Sequence, residues 1–370
     1  MPKNEDRMTN CCVNCFSSNT LKEYIKNNGH RGNCDFCSSK NVYCIMPSKL
    51  QGLFVPVVRI YDIFQNFGPI HDNNEYQGQY LWEKLDKDWQ IFKVSDSQIH
   101  ETLVKEIFSD NNAENSYDML LSSVVERKGE YWTDDYKAST KLEGIWDDFC
   151  KEIKLNNRYF PNTSIDLALL QKLLSHFNTT LKVKTHLFRA RRCDIKKWKP
   201  SQMGKPPVDR SQPGRANPKG INYLYLASDK ITCIAEIKPS IQEEITVATF
   251  SVKVDLKLLD LRNLWIYDPF SFGEDLTFVL KYERFLVRLG SELSKTIGPK
   301  DAELEYVPLQ YLCEFVKKAG YDGIIYKSSV ADGSNFAIFN DNKLKCTRTT
   351  LTKIEKVEYA FHILEEESLL

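Results

Sequence analysis

Four cysteines near the N-terminus constrain this chain more tightly than anything else in it. Cys12 and Cys15, then eighteen residues, then Cys34 and Cys37 make two C-x-x-C pairs, the spacing of a four-thiolate metal site. Each pair lets a tight turn bring two sulfurs to one ion, and four thiolates close the shell, leaving no open position for catalysis. The expectation is a structural zinc knuckle over residues 1–50, with Cys11, His30 and Cys44 close by. Of the eleven cysteines, six precede residue 45. That clustering reads as metal ligands plus core thiols, not a disulfide scaffold, and goes with a reducing cytoplasm.

Residues 51–180 carry little that is chemical. The run from Leu50 to Ile63 is apolar and β-branched, broken by Gly52 and Pro56, and reads as one or two strands or a docking strip. From Tyr76 to Phe177 the pattern turns helical and acidic. Leu142, Ile145, Trp146, Phe149 and Ile153 recur at helical spacing, as do Leu167, Leu170, Leu174 and Phe177 after a capping Thr163–Ser164. These are core faces, and Trp82, Trp89, Tyr131, Trp132 and Tyr136 read as core aromatics. A mainly helical domain over residues 51–180 is expected. Lys+Arg and Asp+Glu number 50 each, so no global charge favours nucleic acid or an anionic membrane, and no apolar run approaches a membrane span.

The chemistry concentrates after residue 181. In Gly214-Arg215-Ala216-Asn217-Pro218-Lys219-Gly220 the glycines and Pro218 bracket a polar, cationic loop. Tyr223, Tyr225 and Ala227 then alternate with Leu224 and Leu226, so a strand puts both tyrosines on one side and both leucines on the other. Ser228 or Asp229 caps a short helix that Pro239 helps to end. Glu236 sits on that helix among Ile231, Cys233, Ile234, Ala235 and Ile237, and reads as a buried acid needing a partner or a purpose. Val183, His186, Phe188 and Ala190 mark a strand that delivers Arg189, followed by a basic run from Arg191 to Lys219. Further strands are expected at Ile245–Val254, Leu258–Leu261, Gly323–Tyr326 and Asn335–Phe339. Helices are expected from Leu276 to Ile297 and between Pro308 and Gly320. The class is α+β, with a mixed sheet in a third module over residues 181–370.

"FRARR" at 188–192, "GRANPKGINYLYLAS" at 214–228 with Glu236 behind it, and "GYDGIIYKSS" at 320–329 resemble, in order and spacing, the RES domain, named for its Arg, Glu and Ser. The zinc knuckle and helical stretch are similar to the N-terminal extension of longer RES proteins. The resemblance implies an ADP-ribosyltransferase-like fold and chemistry on NAD. It implies a bacterial toxin or defence effector, with an antitoxin or immunity protein as partner.

On that resemblance Arg189 holds phosphate or ribose oxygens, Glu236 meets the ribose, and Ser328 bonds a phosphate or amide, with Ser329 a second candidate beside it. Tyr225 would stack on the cationic nicotinamide ring. Arg215, Asn217 and Tyr223 complete the NAD-binding set, Arg215 offering a planar fork to the pyrophosphate. Ser328 is no nucleophile here, since no histidine lies in a neighbouring motif to activate it. The expected activity is cleavage of the nicotinamide–ribose bond by hydrolysis or phosphorolysis. The alternatives are ADP-ribosyl transfer to a protein or nucleic acid, and a non-catalytic zinc-dependent binding protein; nucleic acid as a partner is not expected from the charge and stays open only through the zinc module.

Overall fold

The computed structural model describes residues 9–64, 79–109, 117–128, 134–193, 196–207, 212–295 and 302–358. The chain divides into two compact units, residues 1–142 with 265–285, and residues 143–264 with 286–370. No described helix is long and apolar enough to cross a membrane.

In the first unit, strands β1 (Cys11–Cys12), β2 (His30–Gly32) and β3 (Val42–Ile45) pair antiparallel in the order β1-β3-β2. The following helix, Asn19–Asn28, is capped by Ser18, whose hydroxyl accepts the Leu21 N–H at 3.1 Å. Residues 265–285 return to this unit because the Asp268 carboxylate accepts from the Ser18 hydroxyl at 2.9 Å and from the Thr20 N–H at 3.1 Å. Phe270 also packs on Phe54, with ring centroids 4.8 Å apart. The apolar run after Leu50 is a helix, Gln51–Val58, and only Tyr61–Ile63 (β4) is strand. A short run buried on most sides shows no periodicity that separates the two states. With β5 (Gln79–Tyr80) and β6 (Val124–Arg127), β4 forms a second three-stranded sheet. Trp82 and Trp89 are buried, while Tyr131, Trp132 and the side chain of Tyr136 fall outside the described residues.

The second unit holds an eight-stranded mixed sheet, the α+β arrangement expected. Its strands are β7 (Asn178–Leu181), β8 (His186–Arg192), β9 (Leu224–Ala227), β10 (Glu244–Val252), β11 (Leu256–Asp260), β12 (Gly323–Lys327), β13 (Ser334–Ile338) and β14 (Leu344–Lys353). Their order is β14-β10-β8-β9-β13-β12-β11-β7. All neighbours run antiparallel except β11 and β12. Val183 lies before β8, where Lys184 turns the chain with φ 71°. The helix Leu167–Ser175 is capped by Asp166, not by Thr163–Ser164. The Thr163 N–H is taken instead by Glu152 at 2.8 Å.

Residues 143–180, grouped by composition with the helical stretch, belong to this second unit. Phe149 meets Tyr311 at 4.8 Å, and the Trp146 indole donates to Glu292 at 3.0 Å. A change from acidic to basic sequence marks where composition shifts, whereas burial of apolar faces decides which segments fold together.

Strand alternation gives the sheet two apolar faces. Leu187, Leu224, Leu226, Phe250, Phe336 and Ile338 pack on one, and Ala190, Ala227, Ile245 and Val247 on the other. Cys233 and Ile237, from the helix Lys230–Glu236 and its end, join the second face. β8 pairs with β10 along its whole length, from His186 opposite Ser251 to Arg192 opposite Ile245. Against β9 it makes one pair, Phe188 with Ala227. The sheet is therefore split between β8 and β9.

Gly323 keeps β12 close to β13: a Cβ there would stand 2.5 Å from the Ala337 carbonyl oxygen, a backbone atom that cannot swing aside. Gly323→Ala is expected to destabilise the protein by about 1–3 kcal/mol, read as a lower midpoint with an unchanged m-value in denaturant unfolding.

Candidate active site

A cavity of about 390 Å³ opens at the split, lined from β8 by Phe188, Arg189 and Ala190 and from β9 by Tyr225 and Leu226. Cys233, Glu236 and Ile237 contribute from the helix, and Gly214 and Arg215 from the loop before β9. Tyr306, Tyr326, Ser329 and Asn335 complete it. Arg189 has the parity of Leu187 and Tyr225 that of Ala227, so an unbroken sheet would hold them on opposite faces. The parting of β8 from β9 lets both reach one space.

The loop is built around Asn217, whose side chain is 3% exposed. Its amide donates to the carbonyls of Gln212, Pro218 and Ile221 at 3.2, 3.2 and 2.8 Å, and its oxygen accepts the Tyr225 hydroxyl at 2.6 Å. The Ala216 N–H donates to the same hydroxyl at 3.2 Å. Gly214 is required at this closure, because a Cβ would lie 2.7 Å from the Asn217 oxygen and 2.8 Å from the Tyr225 hydroxyl. Burial raises the Tyr225 pKa, so its phenol stays protonated at neutral pH. Arg215 stands over two rings, 5.6 Å from the centroid of Tyr306 and 6.0 Å from that of Tyr326.

Arg189 and Glu236 have no oppositely charged partner among the described residues. Arg189 donates from Nη1 to the carbonyl oxygens of Met203 and Gly204 at 3.2 and 2.5 Å, with no carboxylate partner among the described residues. Burial first, and the Arg191 guanidinium second, bring its pKa down to about 10, so it remains a cation at neutral pH. Glu236 forms no ion pair among the described residues: its Oε1 accepts from the Ser328 hydroxyl at 2.7 Å and the Asn335 amide at 2.5 Å. The sequence suggested a buried acid, but Glu236 is exposed at the cavity. The seven-residue helix buries Thr232 and Cys233 and leaves Ile231 77% exposed, so its apolar residues do not all face a core.

Three local devices fix this helix. Asp229 caps it, accepting the Thr232 N–H at 2.8 Å. Arg192 donates to the carbonyls of Ile237 and Lys238, both at 2.8 Å, at its C-terminal end. The turn before β13 packs on its cap so closely that a Cβ on Gly333 would be 2.0 Å from the Thr232 hydroxyl.

These are the Arg, Glu and Ser segments of the sequence, brought to one cavity, and residues 186–361 match the family model of the RES domain. Over those residues the chain is similar to the RES domain family. No curated protein matches the chain. Among solved structures it is similar to a chain of the M. tuberculosis MbcT–MbcA toxin–antitoxin complex, at 14% identity and a TM-score of 0.31, covering 50% of this chain and 92% of that one.

Within the matched residues Arg189, Arg215, Tyr225, Glu236 and Ser329 line the cavity, while Ser328 bonds to Glu236. Tyr223 and Asn217 do not line it. Tyr223 precedes the first residue of β9, so strand alternation does not reach it. It is 1% exposed, donates to Glu314 at 2.9 Å and packs on Phe339. Tyr306, Tyr326 and Asn335 were not anticipated. Tyr326 and Asn335 sit at the ends of apolar strands, where alternation around a polar residue was the available signal, and Tyr306 lies outside every motif. The four cysteines of the first unit also meet: the sulfurs of Cys12, Cys15, Cys34 and Cys37 all lie within 4.8 Å of one another.

Asn217→Ala removes three donations to loop carbonyls and the acceptor of the Tyr225 hydroxyl. A loss of about 1–3 kcal/mol is expected, with faster amide hydrogen exchange at Gly214 and Ala216 than in wild type.

Proposed function

We propose that the RES domain binds NAD in this cavity and cleaves its nicotinamide–ribose bond. The observation that carries the reading is a cation, Arg189, and a carboxylate, Glu236, facing one aromatic-walled cavity, neither paired with an opposite charge among the described residues. Burial makes it costly to leave Arg189 without an anion unless a ligand brings the complement, and the exposed Glu236 is open to a complement of its own. NAD brings both: a pyrophosphate for Arg189 and Arg215, and a pyridinium whose positive charge passes to the ribose as the bond breaks.

In this mechanism the C1′–N1 bond breaks and its electron pair leaves on the nicotinamide nitrogen. The positive charge left on C1′ and the ring oxygen lies against the Glu236 carboxylate, which stabilises it most in the transition state. An oxygen of water or phosphate then bonds to C1′, and for water one proton is lost to solvent. Tyr225, fixed through its hydroxyl, offers its ring to the nicotinamide. Ser329 stands at the cavity for a phosphate or amide contact.

Glu236→Gln is expected to fold normally, hold NAD affinity within a few-fold and lower turnover by roughly 10²-fold or more. Arg189→Ala is expected to weaken NAD binding as well as turnover, since a pyrophosphate contact exists before the bond breaks. Nicotinamide release and NAD affinity measured on both variants check this, and a folded, fully active Glu236→Gln would overturn the role. Mass analysis of products with and without phosphate separates hydrolysis from phosphorolysis, and label appearing on protein would assign a transferase instead. The reading extends, through the family, to an NAD-depleting cytoplasmic toxin held in check by a partner protein.

We also propose that Cys12, Cys15, Cys34 and Cys37 hold one structural zinc ion. Metal–sulfur bonds of about 2.3 Å in a tetrahedron set sulfurs about 3.8 Å apart. Here the Sγ atoms of Cys12 and Cys15 are 3.9 Å apart, and those of Cys12–Cys37 and Cys15–Cys34 are 3.4 Å apart. Backbone N–H groups of Asn14, Phe36 and Cys37 donate to these sulfurs at 3.3–3.4 Å, which suits thiolates. Elemental analysis of protein purified without chelator is expected to give about one zinc per chain, and metal-free protein would overturn the assignment.

A further inference from the structure

Both hydrogen bonds to Glu236 fall on the same oxygen. Oε1 accepts from Ser328 and from Asn335, and Oε2 accepts from no donor among the described residues. The two donors differ in how firmly they are held. Ser328 lies just past the end of β12, whereas Asn335 is in β13, which is paired on both sides. Its register places it opposite Tyr326 on β12 and opposite Ala227 on β9, so its side chain rises from the face that carries the cavity. Asn335 is 6% exposed, and its amide meets an exposed carboxylate that three rotatable bonds would otherwise let wander.

We propose that Asn335 is a positioning residue for Glu236: donating to Oε1 together with Ser328, it reserves Oε2 for the ribose of NAD. The inference rests on the NAD-cleavage reading above. Its chemistry follows from the kind of donor. A lysine or arginine in this place would orient the carboxylate but also offset its charge, weakening its hold on a developing cation. A neutral amide and a neutral hydroxyl orient it and leave the negative charge intact. Glu236 thus has one oxygen tied to the sheet and one presented to substrate. Ser328, the serine of the family motif, acts here through Glu236, and Ser329 is the serine at the cavity.

The test is a double-mutant cycle on the full chain, with NAD turnover and NAD affinity read for wild type, Asn335→Ala, Glu236→Gln and the pair. Asn335→Ala is expected to lower turnover about ten-fold or more, the scale of a misplaced reacting group, with NAD affinity within about three-fold. Adding it to Glu236→Gln is expected to cost nothing further, because it acts only through that carboxylate. A merely structural role would lower both backgrounds alike, and that additive result would overturn the proposal. If Asn335→Ala does not fold, Ser328→Ala, at a strand end, carries the same expectation. A wild type that leaves NAD intact overturns the NAD-cleavage reading and this inference with it. A wild type that cleaves NAD beside fully active Asn335→Ala and Ser328→Ala proteins overturns the positioning role alone.

Discussion

Among the described residues a single ladder pair, Phe188 with Ala227, joins β8 to β9, and the cavity depends on that near-absence of pairing. A full ladder would hold neighbouring strands about 4.8 Å apart and separate successive side chains to opposite faces. Where the ladder stops, the strands part, and a space opens that residues of both parities can reach. The glycine-bearing loop before β9 lines this space with Gly214 and Arg215. It satisfies its own backbone through Asn217 and holds the Tyr225 hydroxyl in the process. The split is stable because β8 is fully paired on its other side with β10 and because two apolar faces clamp the sheet.

Two of the cavity's charged side chains are held by neutral groups. Arg189 is held by main-chain carbonyls and Glu236 by an amide and a hydroxyl. Neither set of contacts cancels the charge it orients, so both remain available to a ligand that carries a complementary pair. Elsewhere in the same unit charged side chains do pair, as Arg192 with Glu243 at 2.7 Å and Arg288 with Asp147. Arg189 and Glu236 differ from those pairs in being oriented by neutral groups among the described residues.

The first unit is organised by another kind of local constraint. Two C-x-x-C turns bring four sulfurs together beside a small sheet, in a unit that also buries Phe16, Leu21, Ile25 and Phe54 completely. Residues 265–285 join this unit from the middle of the sequence through Asp268 and Phe270, leaving the chain of the second unit and returning to it.

The sequence alone determined what is written in short spacings. It placed the cysteine pairs, the alternation of Tyr225 and Ala227 against Leu224 and Leu226, the cap before the Glu236 helix, the punctuated helix before Gly320, and the strands β10 to β13. Each depends on residues within one element, where period, cap and turn chemistry act directly. The tertiary structure decided the rest. It turned the Leu50 run into a helix, left Glu236 exposed, drew Tyr223 away into a core with Glu314 and Phe339, and moved residues 143–180 into the second unit. It also brought Asn335 to Glu236 through a register that pairs β13 with β9. These outcomes depend on which faces bury one another across long separations in the chain, and no local pattern encodes a register between strands so far apart.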